Sequence, residues 1–322
     1  MEDSILSEPK VDILTITYNQ ERYINKCIDS VLAQTYDNWQ MIVVDDGSDD
    51  QTRDKIKAYK DDRIVLICLP HRGIEKLKAS YGTALEHGHG ELLAILDGDD
   101  WWPPDKLAIE VPFFQSEQVV LAFGSANLYN EDNRFIKCAR LPKFARGLQE
   151  GNAIIHKILS EYYFPYSVTT MLRRSAISAL GGFVQPEELP LVDLPTWLNL
   201  LQNMKCVGIP EVLGCYRVHD ESVCRKRSLT IDRQQMNYNE IYLEHNWQKL
   251  GFGERAWPAY RKKIHSYNSH KRGVFFMMEK EWAESQSCFK QSFIEGKLLR
   301  KIKVSLRIMQ MILMKYFNKL NG

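Results

Sequence analysis

The chain has 322 residues, of which 44% are apolar and 26% charged, the composition of an ordinary globular protein large enough for one big domain, or one domain with a helical appendage. Its formal net charge of +1 excludes a bulk attraction to nucleic acid, so any electrostatic preference must come from local patches. No apolar run approaches the roughly 20 residues needed to span a bilayer, which excludes an integral helical membrane protein over this sequence.

In chain order, the β-branched run Val11–Thr17 predicts a strand that stops at the polar turn Tyr18-Asn19-Gln20. Residues 21–34 place Tyr23, Ile24, Cys27, Ile28, Val31 and Leu32 at helical spacing. A second strand, Trp39–Val44, runs into Asp45-Asp46-Gly47-Ser48-Asp49-Asp50, and a helix follows through Tyr59. Then come a strand over Arg63–Leu69, a helix near Lys76–His87 and a strand over Glu91–Leu96 that ends in Asp97-Gly98-Asp99-Asp100. Strands alternating with helices predict a parallel sheet covered on both faces, and such sheets bind ligands outside the carboxyl ends of their strands. Three polar clusters stand at three such ends.

Beyond residue 105 the pattern loosens. Ala122–Tyr129 and Phe135–Leu141 read as a strand pair, and Val168–Leu172 as a further strand leading to a short helix and the turn Gly181-Gly182. A helix near 193–204 carries Leu194, Trp197, Leu198 and Leu201 on one face, and the chain reads as helical from about Ile231. Residues 297–319 interleave seven cations with apolar residues and hold no carboxylate. Such a helix can lie on an anionic membrane or pack on its own domain, and both readings stand.

Several carboxylates at one strand mouth repel one another unless a cation joins them. Asp97, Asp99 and Asp100 suit a hard divalent ion, Mn²⁺ or Mg²⁺, bridging to phosphate oxygens, although a lone Asp-x-Asp is more often a solvated turn. Ser48 or Asp49 would cap the helix after them, with Gly47 making the turn. Capping leaves the pair Asp45-Asp46 unexplained, and Asp46 is placed to accept the imide N–H of a uracil base.

The stretch "VDILTITYNQERYINKCIDSVLAQTYDNWQMIVVDDGSDD" resembles the opening of the family 2 glycosyltransferases of GT-A fold, and "ELLAILDGDDWWPPDKL" resembles their metal-binding segment. The resemblance covers roughly residues 11–222. It implies a Rossmann-type mixed α/β sheet flanked by helices, in a domain of residues 1–225, with a nucleotide-binding front half at about 11–105 and an acceptor half at about 106–225. Residues 226–322 form a helical extension. It further implies that Thr17, Tyr18, Asn19, Glu21, Asp46, Lys78, Asp97 and Gly98 bind the nucleotide sugar, with Arg72 beside Lys78 at the diphosphate. Asp99 would ligate the metal. "CYRVHDESV" resembles a later segment whose histidine approaches metal or diphosphate, so His219 is expected as a third protein ligand, beside Asp99 and an Asp97 that approaches the ribose or metal. Gly181-Gly182-Phe183 followed by Asp193 and Trp197 matches the segment that carries the catalytic base, with Val192 where a Glu is usual.

The activity so implied is inverting, metal-dependent transfer from a nucleotide sugar, taken as a UDP-sugar, to a hydroxyl of a glycan or lipid-linked acceptor in bacterial surface-polysaccharide synthesis. Asp193 is also well placed to cap the helix it opens, and the missing Glu keeps a catalytically silent sugar-nucleotide-binding protein in view. Nucleotidyl transfer is the other alternative, and it would favour a Gly-rich phosphate loop that "TYNQER" does not supply. No Gly-x-Gly-x-x-Gly follows a strand, which argues against nicotinamide chemistry. The seven scattered cysteines read as reduced packing thiols and the first ten residues lack a signal-peptide pattern, so the expected location is the cytoplasm, at the inner face of its membrane.

Overall fold

The computed structural model describes residues 8–161, 163–187, 189–220, 228–278, 281–295 and 304–311. The chain forms two compact units, the first comprising residues 1–155 and 164–226, the second residues 156–163 and 227–322.

The first unit is built on a nine-stranded sheet: β1 (Val11–Thr17), β2 (Trp39–Asp45), β3 (Ile64–Cys68), β4 (Leu92–Ile95), β5 (Val119–Asn130), β6 (Phe135–Ala139), β7 (Gly147–Glu150), β8 (Met171–Arg173) and β9 (Lys205–Val218). The order is β3-β2-β1-β4-β8-β5-β9-β7, with β6 paired to the outer half of β5. β1 pairs parallel with β2 and β4, and β2 with β3. β8 is antiparallel to both β4 and β5, so β5 and its parallel neighbour β9 run in the same sense as β1 to β4. Six strands therefore deliver their carboxyl ends to one edge of the sheet.

The expected α/β mixed sheet flanked by helices is what forms. β1 is buried along its whole length, as a parallel strand covered on both faces should be. Helix α1 (Ile24–Leu32) packs Ile24, Cys27, Ile28 and Val31 into the same core as Val11, Met41 and Leu92. Helices α2 (Thr52–Ala58), α3 (Leu77–His87), α4 (Lys106–Glu110), α5 (Gly151–Glu161), α6 (Arg174–Ala179) and α7 (Asp193–Leu200) are the other α-helices described up to residue 220, with short 3₁₀ turns between some elements. Two expectations shift. Val168 is not in a strand: Thr169 and Thr170 turn their hydroxyls back onto the carbonyls of Tyr166 and Ser167, closing a 3₁₀ turn before β8. The first amides of α2 are held by Asp50 and by Glu21, not by Ser48 or Asp49.

A fully buried ion pair, Lys106 with Glu110, lies one helical turn apart in α4, its ammonium over the Trp102 ring at 4.4 Å. Burial pushes the Glu110 carboxyl up to about 7 against the pull of Lys106, and lowers the Lys106 ammonium. Glu110→Ala leaves an uncompensated buried cation and is expected to cost about 3–5 kcal/mol in urea unfolding. Lys106→Met combined with Glu110→Leu should recover most of that loss, and failure to do so would mean the pair stabilises the fold as a pair.

The second unit contains α8 (Ser228–Asn246), α9 (Trp257–Met278) and α10 (Trp282–Glu295). α9 and α10 pack closely: Ser266 and Ser292 each donate a hydroxyl to the other's carbonyl, and Gly273 lies against the Phe289 ring where a Cβ would sit at 2.6 Å. Of the basic tail, residues 304–311 are described. They bury Val304 and Met311 with Met277 and Phe289, and leave Leu306 and Met309 exposed. Residues 297–303 and 312–319 lie outside the described residues. No helix among the described residues is long and apolar enough to cross a membrane.

Candidate active site

The shared sheet edge explains why residues far apart in sequence converge. At the ends of β1 and β2, the amide of Asp46 donates to the Thr17 carbonyl, and Gly47 turns the chain with a positive φ of 82° against the backbone of His71. Asp45 is consumed by structure: it accepts from the Ser48 amide and hydroxyl and from Arg53. Asp46 holds the loop after β3. Its two oxygens accept the Arg72 and Gly73 amides at 3.0 and 2.9 Å, and its Oδ2 lies 3.0 Å from His71 Nδ1. That loop brings the His71 ring parallel to Tyr18, centroids 4.1 Å apart. The stacked pair stands partly exposed beside the buried Asp46 carboxylate, and offers an aromatic face on which a planar base could stack.

Asn19 takes a left-handed φ of 51° and bonds reciprocally with Asp49, while its amide donates to the Ser48 hydroxyl. Thr17 donates to Gln20, and both crowd Gly98, where a Cβ would collide with Gln20 Oε1 and lie 2.9 Å from Thr17 Oγ1. Gly98 is thus required by close approach. Glu21 faces elsewhere: its carboxylate accepts the Gln51 amide and its carbonyl accepts Lys55, so it braces α2. Lys78 is exposed near the start of α3, its amide bonded to Gln185, and Arg72 is exposed in the loop.

At the end of β4, Asp97 is partly buried with Tyr81 at 3.5 Å. Burial, then the charges of Asp99 and Asp193, push its carboxyl up to about 7. Asp100 is fully enclosed and likewise raised by burial and by Asp99 and Asp97, partly offset by its bond from the Arg217 amide at 2.7 Å. Asp99 meets His219, which leaves the end of β9, Oδ2 to Nε2 at 2.9 Å. Among the described residues no group of three or more acidic, His or Cys side chains is arranged to hold a metal. Asp99 and His219 are the pair that could hold a cation, which would then take its remaining ligands from phosphate oxygens and water. The imidazole favours Mn²⁺ of the two expected ions, since Mg²⁺ is the harder, oxygen-seeking cation.

Asp193 is the first residue of α7, with Val192 at the cap position and no side-chain cap bond. Its oxygens accept the Ser167 hydroxyl at 3.0 Å and the amide of Leu194 at 2.8 Å. A helix cap would reach two or three residues on, so capping does not account for this carboxylate. Burial raises its pKa against those two bonds. Its charge contributes to raising both Asp97 and Tyr81. The usual glutamate position is filled by Val192, buried in the core.

Three residues of this site escape a reading of the sequence. His71 follows β3, the one front strand whose mouth carries no acidic cluster. Tyr81 looks like a core aromatic on α3 and packs on Phe183 of the Gly-Gly-Phe turn at 4.5 Å. Arg217 is buried between Tyr23 and Trp101, at 4.5 and 4.7 Å, and its Nε donates to the Asp99 carbonyl at 2.8 Å. Its position two residues before His219, at the end of the same strand, is the available signal.

Comparison with known proteins bears on the family and the fold. Residues 12–181 match the profile described as glycosyl transferase family 2. The putative teichuronic acid biosynthesis glycosyltransferase TuaG of Bacillus subtilis is 29% identical over 256 residues, spanning 78% of this chain and 93% of TuaG. The Escherichia coli enzyme WfgD, a UDP-Glc:alpha-D-GlcNAc-diphosphoundecaprenol beta-1,3-glucosyltransferase, is 26% identical over 70% of this chain and 83% of its own. Among solved structures, S. aureus TarS 1-349 in complex with UDP-GlcNAc superposes with a TM-score of 0.63 over 89% of this chain and 82% of that one; at 16% identity this shows the shared fold.

Proposed function

The chain belongs to glycosyl transferase family 2, and on that premise we propose that this glycosyltransferase moves a sugar from a UDP-sugar to a hydroxyl of a lipid-linked glycan, with inversion, at the cytoplasmic face of a bacterial membrane during surface-polysaccharide synthesis. The observation that carries the reading is the meeting of Asp99 with His219, at 2.9 Å, at the carboxyl ends of β4 and β9. UDP is favoured because the names of WfgD and of the TarS complex both specify it, and the acceptor class follows the name of WfgD.

In this reading Tyr18, His71 and Asp46 frame the base, with Thr17, Asn19 and Gly98 shaping the floor beneath the nucleotide and Lys78 near the diphosphate. Asp99 and His219 hold Mn²⁺ or Mg²⁺, which when bound neutralises charge on the departing diphosphate. Asp193 takes the proton of the acceptor hydroxyl as that oxygen bonds to the anomeric carbon. The carbon–oxygen bond to the diphosphate breaks with its electron pair leaving on UDP. A single carboxylate suffices for the proton, so Val192 does not stop the chemistry. Ser167 holds Asp193 in place.

A panel of UDP- and GDP-sugars, titrated with and without Mn²⁺, tests the proposal, with release of UDP followed after adding a diphosphoprenyl-linked glycan. Metal-dependent binding of a UDP-sugar and acceptor-dependent UDP release are expected. Release of pyrophosphate would instead identify nucleotidyl transfer, and binding without turnover would identify a silent binder.

A further inference from the structure

The surface between Arg134 and Leu148 differs from the rest of the first unit. Cations recur at every third residue, Arg134, Lys137, Arg140, Lys143 and Arg146, and no carboxylate lies between Asn133 and Gln149. All five are exposed. Seven large apolar side chains of this unit are exposed among the described residues, and four of them fall in this short stretch: Phe135 at 57%, Ile136 at 50%, Phe144 and Leu148. Among the described residues β6 pairs with β5 alone, Phe135 opposite Tyr129 and Ile136 at the irregularity that the register skips, so both stand at an outer edge of the sheet.

An edge lysine such as Lys137 is often a guard against strand pairing, but a guarded edge has no reason to carry two adjacent exposed apolar residues. A soluble polyanion would satisfy the cations and leave Phe135 and Ile136 in water. An anionic bilayer accepts both, cations at the headgroups and apolar side chains at the acyl boundary. We propose that the segment from Arg134 to Leu148 docks this protein on an anionic membrane surface.

The segment adjoins the site. Asn133, the residue before Arg134, accepts from Lys26 at 2.9 Å and from Arg217 at 2.8 Å, and Arg217 holds the Asp99 carbonyl. A lipid-borne acceptor therefore meets the catalytic edge where the protein meets the bilayer. The docking rests on the proposed lipid-linked acceptor only for what the membrane delivers.

The test is sedimentation of the full chain with phosphatidylglycerol-containing vesicles and with pure phosphatidylcholine. Binding to the anionic vesicles alone, weakened by salt, is expected. R134Q/K137Q/R140Q should weaken it by about 100-fold, since each cation near an anionic surface contributes roughly one factor of five. F135S/I136S should weaken it about tenfold or more. Both variants keep residues 297–319 intact, and both should keep the parent's melting temperature and its Mn²⁺-dependent UDP binding. The two variants are independent, so misfolding of one leaves the other as the test. Indifference of the parent to anionic vesicles, or parent-like binding by either folded variant, overturns the proposal. So does equal binding of the parent and F135S/I136S to a soluble acidic polysaccharide. Absence of UDP binding in a parent that docks would overturn the transferase reading and leave the docking standing.

Discussion

Asp193→Asn is expected to slow sugar transfer by about 10²–10⁴-fold while leaving donor affinity and melting temperature nearly unchanged. The carboxylate accepts from Ser167 on one oxygen and from the adjacent amide on the other; asparagine keeps the amide bond through its single oxygen and can donate its NH2 to the Ser167 hydroxyl, and no cap bond is at stake. What asparagine cannot do is take a proton. Burial raises the Asp193 pKa, so the protonated, inactive form persists to higher pH than for an ordinary carboxylate. The parent's kcat should therefore fall as pH drops through that raised value, and the residual rate of the variant should lack this acid limb. Measuring donor affinity, melting and kcat across pH on one acceptor separates the outcomes. A variant that transfers at the parental rate once folded would remove Asp193 from the chemistry.

Asp99→Asn is expected to bring UDP affinity in the presence of Mn²⁺ down to the metal-free value. The loss should exceed the roughly 10–100-fold that removal of an outer partner of a metal ligand costs. The fold should not suffer: the charge of Asp99 pushes up the carboxyls of both Asp97 and Asp100, so its removal relieves repulsion in the unoccupied protein. Titration calorimetry with and without Mn²⁺, paired with thermal melts, checks both halves. Persistent enhancement by Mn²⁺ in the variant would move the metal away from Asp99.

The front half of the domain is legible because its strands are short, mostly apolar runs and three of the four end in an abrupt polar cluster, as at Thr17, Asp45 and Asp97. The rear half is not, and β9 shows why. Lys205–Val218 contains Gly208, Pro210 and Gly214, residues that argue against a central strand. The structure admits them through irregularities: the register against β5 slips between Gly124 and Ala126, which face Ile209 and Gly214 across the insertion that holds Pro210. Gly208 and Gly214 face Ala145 and Val168 so closely that a Cβ would clash. Such requirements come from tertiary neighbours and leave no periodic trace. His219 was identified through its resemblance to a known segment, and only the sense of β9 explains how it reaches Asp99. The same limit hid the bracing role of Glu21, because a carboxylate beside a ligand-bearing turn and one that restrains a helix look alike in sequence.

Asp99 and His219 are separated by 120 residues of chain. Loop closure over that distance is costly until β5, β8 and β9 have assembled, so this contact belongs among the slowest to form. During synthesis, Tyr18, Asp46 and His71 can take their places around the first three strands while the ribosome has yet to deliver β9. On the proposed reading, such a nascent chain carries the residues around the base before His219 has arrived, and its competence for transfer would be completed only when β9 enters between β5 and β7.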